Sequence, residues 1–462
     1  MLNDCSSTKK KGGIHIVKVI TYGTYDLFHQ GHYNLLKRAK ELGDYLIVGV
    51  TSDAFDKNRG KLNVRDSLAK RIENVRKTGF ADEIIVEEYM GQKIDDIKRY
   101  HVDIFTVGSD WRGHFDYLNE YCRVQYLERT RGVSSTAIRN KDSISLGIIG
   151  AENIVKRFCE EAKYVSGMEV TGIFEQAERM DFANELARKN ELLLYADLDK
   201  MFAAVDAVYV CCPPAFHYQY IKHALDAGKH VICEYPFGLK VDECQELFEL
   251  AKKKKLILLH ALKTAYTPAF QHLISLAKTG MIGNIIAVDA SFTQVLGSRL
   301  PIQIRIASGG SVNATGEYPL LAFIKLLGTD YHQVRFYSHL CEDYPVDGYT
   351  RFYLEYERAI GTATVAIDAK SEGSLTITGT KGYFYVPAPW WKTEYFEARF
   401  EDINKNMKYF YKFQGEGLRY EMVEFLRCIV TEENSVHLTQ DETMMMVRVL
   451  EQYNQGERVH TF

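Results

Sequence analysis

Apolar residues in this chain recur in two spacings that alternate. Ile16, Val17, Val19 and Ile20 make a short β-branched run, and residues 33–42 then repeat apolar positions at the spacing of an amphipathic helix. Residues 45–50 and 103–108 are further compact apolar runs of the kind a buried parallel strand requires. Strands alternating with helical segments predict a doubly wound α/β sheet. After a polar stretch at 140–144 the alternation starts again at Ser145, with strand-like runs at 145–150, 170–175, 207–212 and 230–235. Beyond Pro268 the pattern becomes strand-rich, notably at 349–369 and 374–387, and residues 419–430 and 440–453 read as amphipathic helices.

A chain of 462 residues is too long for one ordinary domain and predicts two or three units. With 46% hydrophobic and 26% charged residues it has ample material for cores and no bias toward disorder. The net charge of −4 argues against a general binder of nucleic-acid polymers. Nine cysteines without a Cys-x-x-Cys pair suggest reduced thiols in a cytoplasm, with Cys211, Cys212 and Cys233 in the core. The first dozen residues lack the apolar centre of a signal peptide, and runs such as 256–259 are far too short to span a membrane, so a soluble, cytoplasmic protein is expected.

The stretch 21–32, Thr-Tyr-Gly-Thr-Tyr-Asp-Leu-Phe-His-Gln-Gly-His, is where candidate chemistry concentrates. A strand feeds a glycine-containing turn that opens a helix, and the backbone N–H groups and positive dipole end at such a junction suit phosphates. His29 and His32, three apart, can donate hydrogen bonds to the charge that builds on a phosphate during in-line displacement. A single histidine near a helix start is ordinarily a cap or a satisfied core residue. A His-x-Gly-His pair flanked by glycines after a strand has few structural reasons to exist. Metal ligation is the weaker rival, because no third ligand lies nearby at a zinc spacing.

This stretch resembles the signature of the cytidylyltransferases, and most closely of the glycerol-3-phosphate cytidylyltransferases. The likeness runs from about Val17 to Arg139 and includes residues 35–46, 107–111 (Val-Gly-Ser-Asp-Trp) and 129–136 (Arg-Thr-Arg-Gly-Val-Ser-Ser-Thr). The resemblance implies a catalytic set of His29, His32, Lys61 and Arg129. It implies nucleotide or substrate contacts at Tyr22, Gly23, Thr24, Tyr25, Asp26, Arg59, Arg71, Asp110, Thr130, Ser134, Ser135 and Thr136. The loop from Ser52 to Asn63 should lie beside the signature at the carboxyl ends of the strands. Ser134, Ser135 and Thr136 also suit the N-cap of a short helix, a role compatible with holding a triphosphate. The reaction implied is attack by a small polyol phosphate on the α-phosphorus of CTP, with magnesium pyrophosphate leaving. One departure concerns the acceptor: Gly79 precedes Phe80-Ala81-Asp82-Glu83 where glycerol-phosphate enzymes carry an arginine.

From Ser145 to about Tyr453 the chain resembles the Gfo/Idh/MocA oxidoreductases, on the runs 147–156, 170–175, 207–217 and 227–236. That resemblance implies a Rossmann-like domain followed by an α+β open-sheet domain, and a nicotinamide cofactor touching Gly150, Glu175, Glu234, Tyr235 and Tyr318. Three positions depart from the family pattern. Glu152 stands where a dinucleotide turn has its second glycine, Tyr235 replaces the lysine of Glu-Lys-Pro, and Ala314 replaces the aspartate of Asp-x-Gly-x-His/Tyr.

The expected architecture is therefore a nucleotidyltransferase domain at 14–140, a Rossmann-like domain at 145–265 and an α+β domain at 266–462. The expected activity is a CTP:polyol-phosphate cytidylyltransferase using Mg2+, in a homo-oligomer, supplying a CDP-polyol for surface polysaccharide, capsule or teichoic-acid-like polymers. The second half is expected to have lost its redox chemistry. Its rivals are an active NAD(P)-dependent reductase that supplies the acceptor, and a nucleotide-sensing scaffold without catalysis.

Overall fold

The apolar run at the start of the chain becomes β1 (Lys18–Gly23), and its neighbours are recruited in the order the alternation predicts. It is followed by α1 (Gln30–Lys40), β2 (Tyr45–Thr51), α2 (Asp53–Asn58), α3 (Leu68–Lys77), β3 (Glu83–Glu87), α4 (Gln92–Tyr100), β4 (Ile104–Gly108) and β5 (Arg123–Leu127). The five strands are parallel in the order β3-β2-β1-β4-β5. Alternation along β1 sends Val19 to one face, with Leu46, Val48, Leu36 and Val75, and Ile20 to the other, with Ile47, Phe105 and Ile97. Both faces are thus buried, which is why these strands read as continuous apolar runs. Strand order reverses direction between β1 and β4, so the turn after β1 lies at a topological switch point.

This computed structural model describes residues 16–58, 64, 66–89, 91–128, 143–176, 179–296, 309–342 and 345–462. The chain divides into two units, 1–141 and 142–462. One expectation fails in the first unit. The segment expected as a loop from Ser52 begins instead as α2, because Ser52 Oγ accepts from Phe55 N (3.1 Å) and caps a turn of helix.

The second unit opens with β6 (Ile144–Ile149), α5 (Asn153–Ala162), β7 (Met168–Phe174), α6 (Met180–Asn190), β8 (Leu193–Tyr195) and α7 (Leu198–Ala204). It continues with β9 (Ala207–Val210), α8 (His217–Asp226), β10 (His230–Glu234), α9 (Val241–Lys254) and β11 (Leu258–Ala261). These six strands form a parallel sheet in the order β11-β10-β9-β6-β7-β8, the doubly wound order of dinucleotide-binding folds. Cys211 and Cys233 are buried in it as expected, whereas Cys212 is half-buried at the strand end.

The rest of the unit is a nine-stranded mixed sheet with helices on one face. Its elements are α10 (Pro268–Lys278), β12 (Ile285–Thr293), α11 (Gly310–Thr315), α12 (Glu317–Leu327), β13 (Gln333–Leu340), β14 (Asp347–Glu355) and β15 (Ile360–Ala366). They continue with β16 (Leu375–Gly379), β17 (Gly382–Val386), β18 (Tyr395–Phe400), β19 (Met407–Phe410), α13 (Leu418–Thr431), α14 (Gln440–Asn454) and β20 (Val459–Thr461). Strand order is β19-β18-β17-β16-β12-β15-β14-β13-β20. Burial alternates along β13 and β14, with Val334, Phe336, Phe352 and Leu354 inside and Arg335 and Arg351 outside, so the other face is open. Met444 and Val447 of α14 join the core around Val208, Val231 and Leu258, which fastens this layer to the Rossmann sheet.

Candidate active sites

The chain leaves β1 through a turn in which Tyr25 (φ 54°) and Leu27 (φ 46°) adopt left-handed conformations. That fold-back is tight: a Cβ on Gly23 would stand 3.0 Å from the Tyr25 ring. The turn delivers His29 as the N-cap of α1, where its Nδ1 accepts from Gly31 N (3.0 Å). With Nδ1 accepting, the neutral ring carries its proton on Nε2, the arrangement of a donor to an anion. His32, one turn on, stacks on His29 with ring centroids 3.9 Å apart and 22° between planes. The Tyr25 ring meets His32 edge-on at 5.4 Å, and Phe28 lies 5.5 Å away. The first turn of α1 contains no acidic residue. The two imidazoles and a helix start therefore converge, and together they offer donors to phosphate oxygens.

Five neighbours assigned by sequence to nucleotide contact have other employment for their side chains. Tyr22 is buried on the far face of β1 and donates its hydroxyl to Asp96 (2.8 Å). Thr24 Oγ1 donates to Asp56 (3.0 Å), and Tyr25 is only 2% exposed. Asp26 accepts from Asp66 N (2.9 Å). Thr24 and Asp26 thus tie the turn to α2 and to the approach to α3. Arg71 is the clearest correction, because it is fully buried rather than open to a ligand. It donates to the carbonyls of Thr51 (2.7 Å), Thr24 (2.8 Å) and Asp66 (3.0 Å), pairs with Asp53, and lies 3.7 Å from Asp56. Arg71 thus ties α3 to the signature turn and to the end of β2. Lys61, Arg59, Arg129, Thr130, Ser134, Ser135 and Thr136 lie outside the described residues, as does the side chain of Asp110, whose backbone forms a short helical turn after β4. Among the described residues no cluster of His, Cys, Asp or Glu could hold a metal ion.

In the second unit, Gly150 (φ 105°) makes the turn after β6. A Cβ there would stand 2.7 Å from Cys212 N, so only glycine fits. Glu152 stands at the N-cap position of α5 without a side-chain capping bond, and its carboxylate pairs with Arg179 at the start of α6. Glu175, just past β7, accepts from Gln176 N (2.8 Å), and burial raises its pKa. Glu234 ends β10 and accepts from the Tyr209 hydroxyl. The Tyr235 and Tyr318 rings meet edge-on at 5.0 Å. Phe292 lies 4.7 Å from Tyr318 and stacks on Trp391 at 3.9 Å, completing an aromatic wall. Asn313, beside the lost aspartate, turns away to Gly309 O and Asn454.

Sequence reasoning missed two residues here. Glu234 is in register with Ala261 of β11, and Lys263 follows two residues later, 9% exposed. Glu421 of α13 is fully buried, and neither carboxylate oxygen has a hydrogen-bond partner. Burial lowers the Lys263 pKa against the opposing pull of Glu234, Glu421 and Glu416, while burial and the charge of Glu234 raise that of Glu421. The signal available was weak: a lone lysine between an apolar strand and an apolar helix.

Comparison with known proteins divides the chain at the same place. The model of cytidylyltransferase-like proteins matches residues 20–141. The model of the GFO/IDH/MocA oxidoreductase family, NAD-binding Rossmann fold, matches 144–261, and that of the GFO/IDH/MocA C-terminal domain matches 270–385. The glycerol-3-phosphate cytidylyltransferase of Bacillus spizizenii is 50% identical over 129 residues, 28% of this chain and 98% of that protein. The scyllo-inositol 2-dehydrogenase (NADP(+)) of Bacillus subtilis is 34% identical over 155 residues, 33% of this chain and 46% of that protein. A 3-ketoreductase of Actinomadura kijaniata, solved with NADP and TDP-benzene, superposes with a TM-score of 0.63 at 21% identity. It covers 69% of this chain and 99% of its own, a likeness of fold.

Proposed function

The chain belongs to the cytidylyltransferase-like family through its first unit and to the GFO/IDH/MocA oxidoreductase family through its second, and on that footing we propose that it transfers CMP from CTP to a small polyol phosphate. The observation that carries this reading is the His29–His32 stack at the start of α1. A phosphate oxygen of the acceptor, glycerol 3-phosphate or a relative, attacks the α-phosphorus in line, pyrophosphate leaves, and the CDP-polyol remains. His29 and His32 donate to the oxygens where charge builds, while Arg71 holds the turn that aims them. Mg2+, bound to the triphosphate as part of the substrate, would supply charge neutralisation for the leaving pyrophosphate. The CDP-polyol would serve a surface polymer, and a homo-oligomer is the expected assembly. No helix among the described residues is long and apolar enough to cross a membrane. Pyrophosphate release from CTP, run against glycerol, ribitol and erythritol phosphates with other nucleoside triphosphates as controls, tests the proposal. A CTP-specific rate with one acceptor supports it, and equal rates with all triphosphates would refute it.

For the second unit, expected to be silent, a specific observation favours the alternative of a nicotinamide-dependent reductase. The tight Gly150 turn is kept and Glu175 stands where a ribose hydroxyl would meet it. The charge of Glu152, the residue that should repel a pyrophosphate, is balanced by Arg179. These residues fit a nicotinamide dinucleotide. When bound, it would supply the hydride for a carbonyl, and the protein would provide the seat and the proton.

A further inference from the structure

The chemistry that Tyr235 removes from the second unit has a replacement one strand away. A lysine directly after Glu234 would project at the carboxyl end of β10. Lys263 projects from the carboxyl end of β11, two residues beyond Ala261, the register partner of Glu234. Ligands of doubly wound sheets gather at these strand ends. Lys263 makes no ion pair within 4 Å with Glu234 or Glu421, yet both carboxylates act on it. The segment carrying it is fastened to the aromatic wall by Thr264 Oγ1, which donates to Trp391 O (2.8 Å). Glu421 is buried beneath without a donor, an arrangement that a purely structural ion pair would have closed.

We propose that Lys263 is the proton donor and acceptor of a carbonyl-reducing site bounded by Glu234, Tyr235, Tyr318 and Trp391, whose substrate is a small phosphorylated ketone or aldehyde. This rests on the reductase reading of the second unit. In reduction the carbonyl carbon gains a hydride from reduced nicotinamide, which is oxidised. The carbonyl oxygen takes a proton from the Lys263 ammonium, and the neutral amine regains it from solvent. Burial and Lys392 disfavour the charged amine while Glu234, Glu421 and Glu416 favour it, and burial prevails, so Lys263 gives up its proton more readily than an exposed lysine. The product is an alcohol phosphate, the class of acceptor that the first unit consumes.

The test uses the full chain and begins without turnover. Acetylation by acetic anhydride, read by peptide mass spectrometry across pH, should become half-maximal at Lys263 at lower pH than at exposed lysines, and NADH or NADPH should slow it. Coincident pH curves overturn the proposal. Energy transfer from tryptophan to bound NADH or NADPH reports cofactor affinity, with dihydroxyacetone phosphate as the three-carbon probe in a panel of keto-phosphates. Lys263→Met should keep that affinity within about twofold and lower kcat at least 100-fold, and Lys263→Ala should regain part of its kcat in added ethylamine. Lys263→Met with unchanged kcat, or Lys263→Ala without rescue while cofactor still binds, overturns the assignment of Lys263. A wild-type chain that binds neither nucleotide overturns the reductase reading itself.

Discussion

Replacing Arg71 by Met separates a structural arginine from a nucleotide-binding one. The guanidinium donates three hydrogen bonds to carbonyls at 2.7–3.0 Å from a fully buried site and faces two carboxylates, Asp53 and Asp56. Hydrogen bonds involving a charged group contribute about 1.5–3 kcal/mol each, and they do not add. Removing one partner of a buried pair costs about 3–5 kcal/mol, and here Asp56 would lose the guanidinium 3.7 Å away. Methionine refills part of the volume, so a loss of about 4 kcal/mol is expected for the first unit. With a urea slope of roughly 2 kcal/mol per molar, the midpoint should fall by about 2 M. Pulse proteolysis in urea, with fragments of the two units resolved on a gel, measures this for the first unit within the full chain. Turnover should fail with stability, because Thr24 and the turn that presents His29 lose their anchor. A variant with the wild-type midpoint and only a raised KM for CTP would refute the reasoning and return Arg71 to the nucleotide.

His32→Ala should lower cytidylyl transfer by well over tenfold, about 1.4 kcal/mol of barrier or more, while the urea midpoint of the first unit stays put; activity within tenfold of wild type would sink that residue's role. Gly150→Ala places a Cβ 2.7 Å from Cys212 N at a φ of 105°, and the second unit should lose about 2–4 kcal/mol with the first unit unaffected, as read by the same proteolysis. For Glu421, burial and Glu234 raise the folded pKa above the unfolded value, so its contribution to stability is whole below about pH 4.5 and fades as pH rises. Glu421→Gln should therefore gain Tm over wild type increasingly from pH 5 to pH 8, by at most about 1.4 kcal/mol per pH unit, and a gap that is constant or closes would contradict this.

The signature turn was legible because its information is local. A strand run, two glycines and His-x-Gly-His fix a strand-turn-helix junction without help from the rest of the chain. The parallel sheets followed from alternation for the same reason. What the pattern could not show is where long side chains end. Arg71 has the composition of a surface cation, and only the approach of Thr24, Thr51 and Asp66 from three other segments makes it a buried clamp. Tyr22 stands in the motif, yet strand alternation turns it to the opposite face, onto Asp96. The cap at Ser52 was equally local, and the basic residues after it drew attention away from the helix it starts.

The second unit shows the same limit in reverse, since its departures were visible and their compensation was not. Glu152 in a dinucleotide turn reads as a repelling charge until Arg179, from the next β-α junction, pairs with it. Tyr235 in place of lysine reads as lost proton transfer, and the pairing of β10 with β11, which brings Lys263 to the neighbouring strand end, is not visible in the pattern. A buried amine and a buried carboxylate without close partners are expensive to hold, by several kcal/mol in an apolar surround. Replacing Lys263 and Glu421 by apolar residues of similar size is expected to be neutral or stabilising for the fold. On the proposed reading that cost is offset by proton transfer at the strand end next to the substituted motif.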